Sequence, residues 1–252
     1  MRRTPRPLVA GNWKMHGLKS SLKQVRTIAA SLAKTAPACD VMICPPTTLL
    51  HPMKDATKAS KLKLGGQDCH ASSQGAHTGD VSAEMLKDAG ATAVIVGHSE
   101  RREDHQETNV DVRAKAAGAH RAGLVAIVCV GETLKQRKAG TALRVVGHQL
   151  KGSLPATATD KNTVIAYEPV WAIGTGLTPT ADDVAEVHGY IRKRLQTLLA
   201  NGSPERVRLL YGGSVKPANA AELLATENVD GALVGGASLD AKDFLPIVRA
   251  CR

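Results

Sequence analysis

Eight short apolar runs punctuate the chain: "PLVAG" (7–11), "VMIC" (41–44), "KLKLG" (61–65), "AVIVG" (93–97), "LVAIVCVG" (124–131), "TVIAY" (163–167), "VRLLYG" (207–212) and "GALVG" (231–235). Most are continuous rather than alternating, the mark of strands buried on both faces. Between them the pattern changes to a helical period. Over 182–200, Val184, Val187, Ile191, Leu195 and Leu198 recur at steps of three and four, which predicts one buried helix face. "SAEMLKDAG" (82–90) starts on serine and stops on glycine. "QETNVDVRAKAAGAHRAG" (106–123) is Ala-rich with glycine punctuation, and "HSERRED" predicts a helix beginning near Ser99. The least regular helical pattern is 47–60, which Pro52 interrupts. Eight strand–helix units over 252 residues average about 31 residues each, the size of a βα repeat with short loops. No linker or composition break divides the chain, and no GxGxxG follows the first strand. The expectation is an α/β protein, a closed (β/α)8 barrel formed as one domain over 1–252, rather than an open doubly wound sheet.

Composition narrows what such a barrel binds. The net charge of +10 attracts anions, whether nucleic acid, anionic lipid or phosphorylated metabolites. Basic residues are scattered, however, and aromatics make up only 2%, so a nucleic-acid partner is not expected. Five cysteines, odd in number and without a CxxC pair, suit reduced thiols in a cytoplasmic protein. No apolar run approaches the roughly 20 residues of a membrane span, and Pro5 and Pro7 interrupt the basic N-terminus before any apolar signal core.

Reactive groups of a parallel barrel belong at the carboxyl ends of its strands. Here those ends carry Asn12 and Lys14, then His98 and Ser99, then Glu168, then Ser214, then Gly235 and Gly236. Singly, each has a plain explanation as a solvated charge, a turn or a loop residue; together they fall on one end of one barrel. The pairs Gly212–Gly213 and Gly235–Gly236 follow the last two strands, where backbone N–H groups can hold phosphate. Glu168 suits a carboxylate base. His98, at the positive end of the helix beginning near Ser99, is expected to be neutral and able to polarise a carbonyl. A base, a neutral electrophile and a phosphate cradle fit proton transfer beside the carbonyl of a small sugar phosphate. No HExxH or HxxxH spacing marks a metal site, no cysteine–histidine dyad is evident, and no nucleotide motif is present. Neither metal nor cofactor is expected.

"GNWKM" (11–15), "VGHSERR" (96–102), "AYEPVWAIGTG" (166–176), "YGGSV" (211–215) and "DGALVGGASL" (230–239) together resemble the triosephosphate isomerase family. The likeness runs from Leu8 to Leu239 and implies a TIM barrel acting in glycolysis and gluconeogenesis. By resemblance, Glu168 takes the proton beside the carbonyl and returns it to the neighbouring carbon. His98 polarises the carbonyl and shuttles protons between the enediolate oxygens. Lys14 stabilises the negative charge, Asn12 orients oxygens, and Glu100 pairs with the lysine. Gly174, Ser214, Gly235 and Gly236 hold the phosphate through backbone N–H groups. The stretch from Pro169 to about Pro179 resembles a lid with Val170, Trp171, Ala172 and Ile173 as its dry cover, shielding an enediol phosphate from water.

One departure touches that lid. Where the family often has an alanine whose N–H meets the tyrosine of "YGGS", this chain has Pro179, which offers no N–H to Tyr211. Closure is then expected to rely more on Ser214 meeting the lid near Gly176. Pro179 is also placed to begin the next helix. Residues 67–85 resemble the family's long third loop, which implies a homodimer in which Thr78 reaches the partner's Lys14 region. His77, Asp80 and His16 differ from the aromatic, glutamate and asparagine often found there. The competing readings are another phosphate-binding (β/α)8 isomerase or lyase, which needs wider loops, and a non-catalytic relative, which need not keep the glutamate, histidine and lysine.

Overall fold

The computed structural model describes residues 5–173 and 179–251. Eight parallel strands, β1 (Leu8–Asn12), β2 (Asp40–Cys44), β3 (Lys63–Gly66), β4 (Ala93–Val96), β5 (Val125–Val130), β6 (Thr163–Tyr167), β7 (Arg208–Tyr211) and β8 (Gly231–Val234), pair in chain order. The barrel closes where β1 pairs with β8, Leu8 opposite Gly231 and Gly11 opposite Val234. The expected closed barrel is therefore the observed one, each strand within two residues of its apolar run at either end.

The helices are α1 (Leu22–Lys34), α2 (Thr47–Ala56), α3 (Ala83–Asp88), α4 (Ser99–Asp104), α5 (Asn109–Arg121), α6 (Leu134–Lys138), α7 (Ala142–Ser153), α8 (Ala181–Leu198), α9 (Ala220–Ala225) and α10 (Ala241–Arg249). On α8 the buried residues include Val184, Val187, Ile191 and Leu195. The Thr108 hydroxyl caps α5 and Thr180 caps α8, each in reciprocal pairing with an aspartate three residues on. Pro179 thus precedes the cap and does not begin α8. Pro52 lies within α2, which ends at Ala56, four residues short of the apolar pattern.

Continuous apolar strands split into two cores by alternation. Leu8, Ala10, Ile127, Cys129, Val164 and Ala166 belong to the barrel interior. Val9, Ala126, Val128 and Ile165, one position along, meet the helices instead. Continuing the inward parity one step, Ala10 leads to Asn12 and Ala166 leads to Glu168, so the alternation that fills the barrel also aims these two side chains over its mouth.

The opposite, amino end of the barrel is closed by charge. Asp40 Oδ2 lies 2.8 Å from Lys63 Nζ and 3.0 Å from Arg208 Nη1, with Arg6 Nε 3.3 Å from its other oxygen. Burial pushes this carboxyl up, but Lys63 and Arg208 outweigh it and hold it below the usual range. Before β8, buried Asp230 accepts from Arg192 Nη2 at 2.6 Å and from the Leu209 N–H at 3.0 Å.

Candidate active site

The chain leaves β1 through a turn that sets the first two site residues. Trp13 is buried, its N–H bonded to the Cys44 carbonyl and its indole N–H to the Ser238 carbonyl, both between 2.9 and 3.0 Å. Lys14 follows with φ of +50°, the left-handed region that ordinary side chains avoid. Its strained backbone is held at both ends: its N–H donates to Asn12 Oδ1 at 3.0 Å, and its carbonyl accepts from Gln67 Nε2 at 2.9 Å. Lys14 Nζ lies 2.6 Å from Glu100 Oε1.

After β4, Gly97 turns at φ +66° and His98 becomes the cap of α4. His98 Nδ1 accepts the Glu100 N–H at 3.3 Å, so that nitrogen carries no proton and Nε2 carries it. Nε2 lies 2.8 Å from Glu168 Oε1, and the Ser99 N–H donates to Glu168 Oε2 at 3.0 Å. Both side chains are buried, the carboxylate only 2% exposed. Burial opposes the imidazolium, but the facing Glu168 carboxylate, helped by Glu100, outweighs it and holds the His98 pKa above its ordinary value. The ring is thus poised between two demands: the Glu100 amide wants it neutral and the carboxylate wants it charged. Moving Glu168 away removes the larger of the influences that raise the pKa, leaving burial and the amide against the weaker pull of the Glu100 carboxylate.

One cavity of about 580 Å³ brings together Asn12, Lys14, His98, Glu168, Ser214, Gly235 and Gly236. Gly174 lies outside the described residues, as do Gly176 and the rest of 174–178. A Cβ at Gly236 would meet nothing within 4 Å, and one at Gly235 only Lys14 Cε at 3.8 Å. No neighbour in the fold demands glycine there, so the space a side chain would fill is cavity. The other pair is explained by packing. Gly212 N–H is taken by the Tyr167 carbonyl at 2.7 Å, and a Cβ at Gly213 would lie 2.2 Å from the Tyr211 hydroxyl. Of the expected phosphate residues on these two loops, those that border open cavity without a packing reason for glycine are therefore Ser214 and the second glycine pair. Asn219 shapes it, its amide bonding the Ser214 carbonyl at 3.0 Å while its oxygen accepts the Lys216 N–H at 2.8 Å.

Two neighbours of the site escaped the sequence reading. Glu132, after β5, is fully buried and its Oε1 accepts from Trp171 Nε1 at 2.8 Å and Tyr167 Oη at 3.1 Å. Its carbonyl takes the Val170 N–H at 3.1 Å. Burial pushes the Glu132 carboxyl up despite these donors. Trp171, expected as an apolar cover, is therefore also tethered through its indole N–H. The signal was present: Glu132 is a carboxylate just beyond a strand's carboxyl end, the rule that selected Glu168. Gln67, just past β3, fits the same rule.

A family model described as triosephosphate isomerase matches residues 7–251. The chain is 61% identical over 246 residues to a triosephosphate isomerase of Afipia carboxidovorans, covering 98% of each. It is 60% identical over 248 residues to one of Rhodopseudomonas palustris, again covering 98% of each. The crystal structure of triosephosphate isomerase from Bartonella henselae superposes with a TM-score of 0.91 at 51% identity, covering 97% of this chain and 98% of that one.

Proposed function

The chain belongs to the triosephosphate isomerase family, and from that premise we propose that it interconverts D-glyceraldehyde 3-phosphate and dihydroxyacetone phosphate through an enediolate, without a cofactor. The observation that carries this reading is the His98–Glu168 pair, 2.8 Å apart and facing one cavity with Lys14 and the Gly235–Gly236 rim. Glu168 is the base. To reach a substrate carbon it leaves the Ser99 N–H and His98 Nε2 that hold it now. His98, released from the carboxylate, presents Nε2–H to the carbonyl oxygen and passes protons between the two enediolate oxygens. Lys14 and Asn12 meet the developing negative charge. Ser214, Gly235, Gly236 and Gly174 take the phosphate, aided by the positive side chains at the rim, Lys14 and Lys216.

The barrel accounts for the chain as one domain, and the activity belongs to glycolysis and gluconeogenesis in the cytoplasm. Among the described residues no helix is long and apolar enough to cross a membrane. The chain acts as a homodimer in which the loop around Thr78 enters the partner's cavity beside Lys14. Support comes from Met15, which lines a cavity with Lys14, and Met85, which ends the 67–85 stretch; in the single chain they are 95% and 54% exposed.

A coupled dehydrogenase assay of the purified chain, with Glu168→Ala beside it, tests the proposal. Fast turnover that collapses in the variant is expected. A folded chain that turns over neither substrate, or a variant as active as the parent, would sink it.

A further inference from the structure

All five cysteines are free thiols and buried. Burial makes a thiol inert, and three of them follow that rule. It pushes Cys44 and Cys69 up to about 12 and raises Cys129 well above the ordinary thiol range. The other two meet each other. Cys39, just before β2, and Cys251, just past α10, come together at the amino end of the barrel. Cys39 Sγ lies 3.7 Å from the Val248 carbonyl oxygen, and the Cys251 N–H reaches the same oxygen at 3.4 Å. The two thiols are hydrogen-bonded to one another. Arg6 stands beside them, its Nη2 donating to the Cys39 carbonyl at 3.1 Å and to the Pro37 carbonyl at 2.7 Å.

This setting makes the two sulfurs unequal. The hydrogen bond from Cys251, helped by the Arg6 charge, outweighs burial and the neighbouring Asp40 carboxylate and holds the Cys39 thiol below its ordinary value. Cys251, the donor, is raised. An anion-prone thiol next to a protonated one is the arrangement of an attacking cysteine and its resolving partner. A cavity of about 80 Å³ between Pro7, Leu224, Val229 and Cys251 leads to the pair. One water needs about 10–15 Å³, so a molecule as small as peroxide fits there.

We propose that Cys39 and Cys251 are a redox-modification site, joined by peroxide into a disulfide within one chain. The Cys39 thiolate attacks one peroxide oxygen and the O–O bond breaks. The departing hydroxide takes up the proton that Cys39 gave up and leaves as water, and Cys39 becomes a sulfenic acid. The Cys251 sulfur then attacks the Cys39 sulfur and the S–O bond breaks. The hydroxyl leaves with the Cys251 proton as a second water. Two thiols are oxidised to one disulfide, and one peroxide is reduced to two waters. The bond lies at the end of the barrel opposite His98 and Glu168, so it leaves the mouth uncovered.

Peptide mapping of the full chain decides it. The reduced, folded protein is treated with hydrogen peroxide and then alkylated under denaturing conditions. A peptide pair joining Cys39 to Cys251 is expected, lighter by two hydrogens than its separate parts and released by dithiothreitol, with Cys44, Cys69 and Cys129 still alkylated. In Cys251→Ser the resolving thiol is gone, and dimedone should label Cys39 as the stranded sulfenic acid. The cross-link is read in the parent chain and needs no variant to fold, and neither readout depends on turnover. Alkylation of both Cys39 and Cys251 after peroxide, a disulfide from Cys39 to any other cysteine, or dimedone labelling of Cys44, Cys69 or Cys129 in place of Cys39 would each overturn the assignment.

Discussion

The two ends of the barrel use the same kinds of side chain to opposite purposes. At the amino end, Asp40 and Asp230 meet arginine or lysine partners at 2.6–3.0 Å that carry fixed positive charge. At the carboxyl end, Glu168, more buried than either aspartate, faces a histidine whose charge is negotiable and a backbone N–H. An arginine keeps its proton throughout the usable pH range, so the lower pairs can only hold. A histidine beside a carboxylate can trade a proton, and the bond between them is one a substrate can replace. Chemistry sits where the partner is exchangeable, and stability where it is permanent.

Breaking the exchangeable pair should give the largest effect on rate. Glu168→Gln is expected to lower kcat on the order of 10²–10⁴-fold, the range for loss of a general base. Its melting temperature should match or exceed the parent's, because a buried carboxylate is gone. A loss of stability in calorimetry as large as the loss of rate would mean that the upper pair is structural too. The permanent pair should answer the other way. Asp230→Ala leaves Arg192 buried without its carboxylate and should cost about 3–5 kcal/mol in urea unfolding. The kcat of the fraction still folded should stay at the parental value.

The comparison sharpens between two histidines. His98 has a carboxylate partner and a raised pKa, whereas fully buried His188 has none and burial pushes it down to about 4. His188 Nδ1–H donates to the Asn228 carbonyl at 3.0 Å, and among the described residues its Nε2 finds no partner. Between about pH 6.5 and 4 the unfolded chain binds a proton here that the folded chain refuses. Its contribution is therefore complete above the ordinary histidine pKa and falls as pH falls through that window. The loss amounts to about 3 kcal/mol, at roughly 1.4 kcal/mol per pH unit. Unfolding free energies at several pH values should show this slope in the parent and a shallower one in His188→Gln.

The smallest expected effect is that of Tyr211→Phe. The Tyr211 hydroxyl is buried and, among the described residues, has no hydrogen-bond partner, and Pro179, which stands where the family often has an alanine N–H for it, has none to give. A change in kcat/KM of less than about fivefold is expected, since an unmade hydrogen bond of at most about 1 kcal/mol is at stake. A large loss would show that the hydroxyl finds another partner when the substrate is bound.

What was legible in the sequence follows from which information is local. Strands buried on both faces write themselves as unbroken apolar runs, and the residue just past each run falls at the mouth of the barrel, so Asn12, His98, Glu168 and Ser214 could be marked as candidates from position alone. Glu132 obeys the same rule, but what distinguishes it, its bonds to Tyr167 and Trp171, comes from residues 35 and 39 positions further along. The tension at His98 was equally hidden. A helix terminus argues for a neutral ring, but the carboxylate that opposes it arrives from a strand end 70 residues later.

The pairing of Leu8 with Gly231 has a consequence for how the molecule is made. The first barrel strand to leave the ribosome is bonded on one side to the last, so it must wait for every other strand of the barrel to be made before meeting that neighbour. Until then the growing sheet has two open edges, β1 and whichever strand is newest, and either can pair with a foreign strand. The nascent chain is most exposed to aggregation just before the final strand emerges, and translation pauses upstream of codon 231 should lengthen that hazard in proportion to their duration.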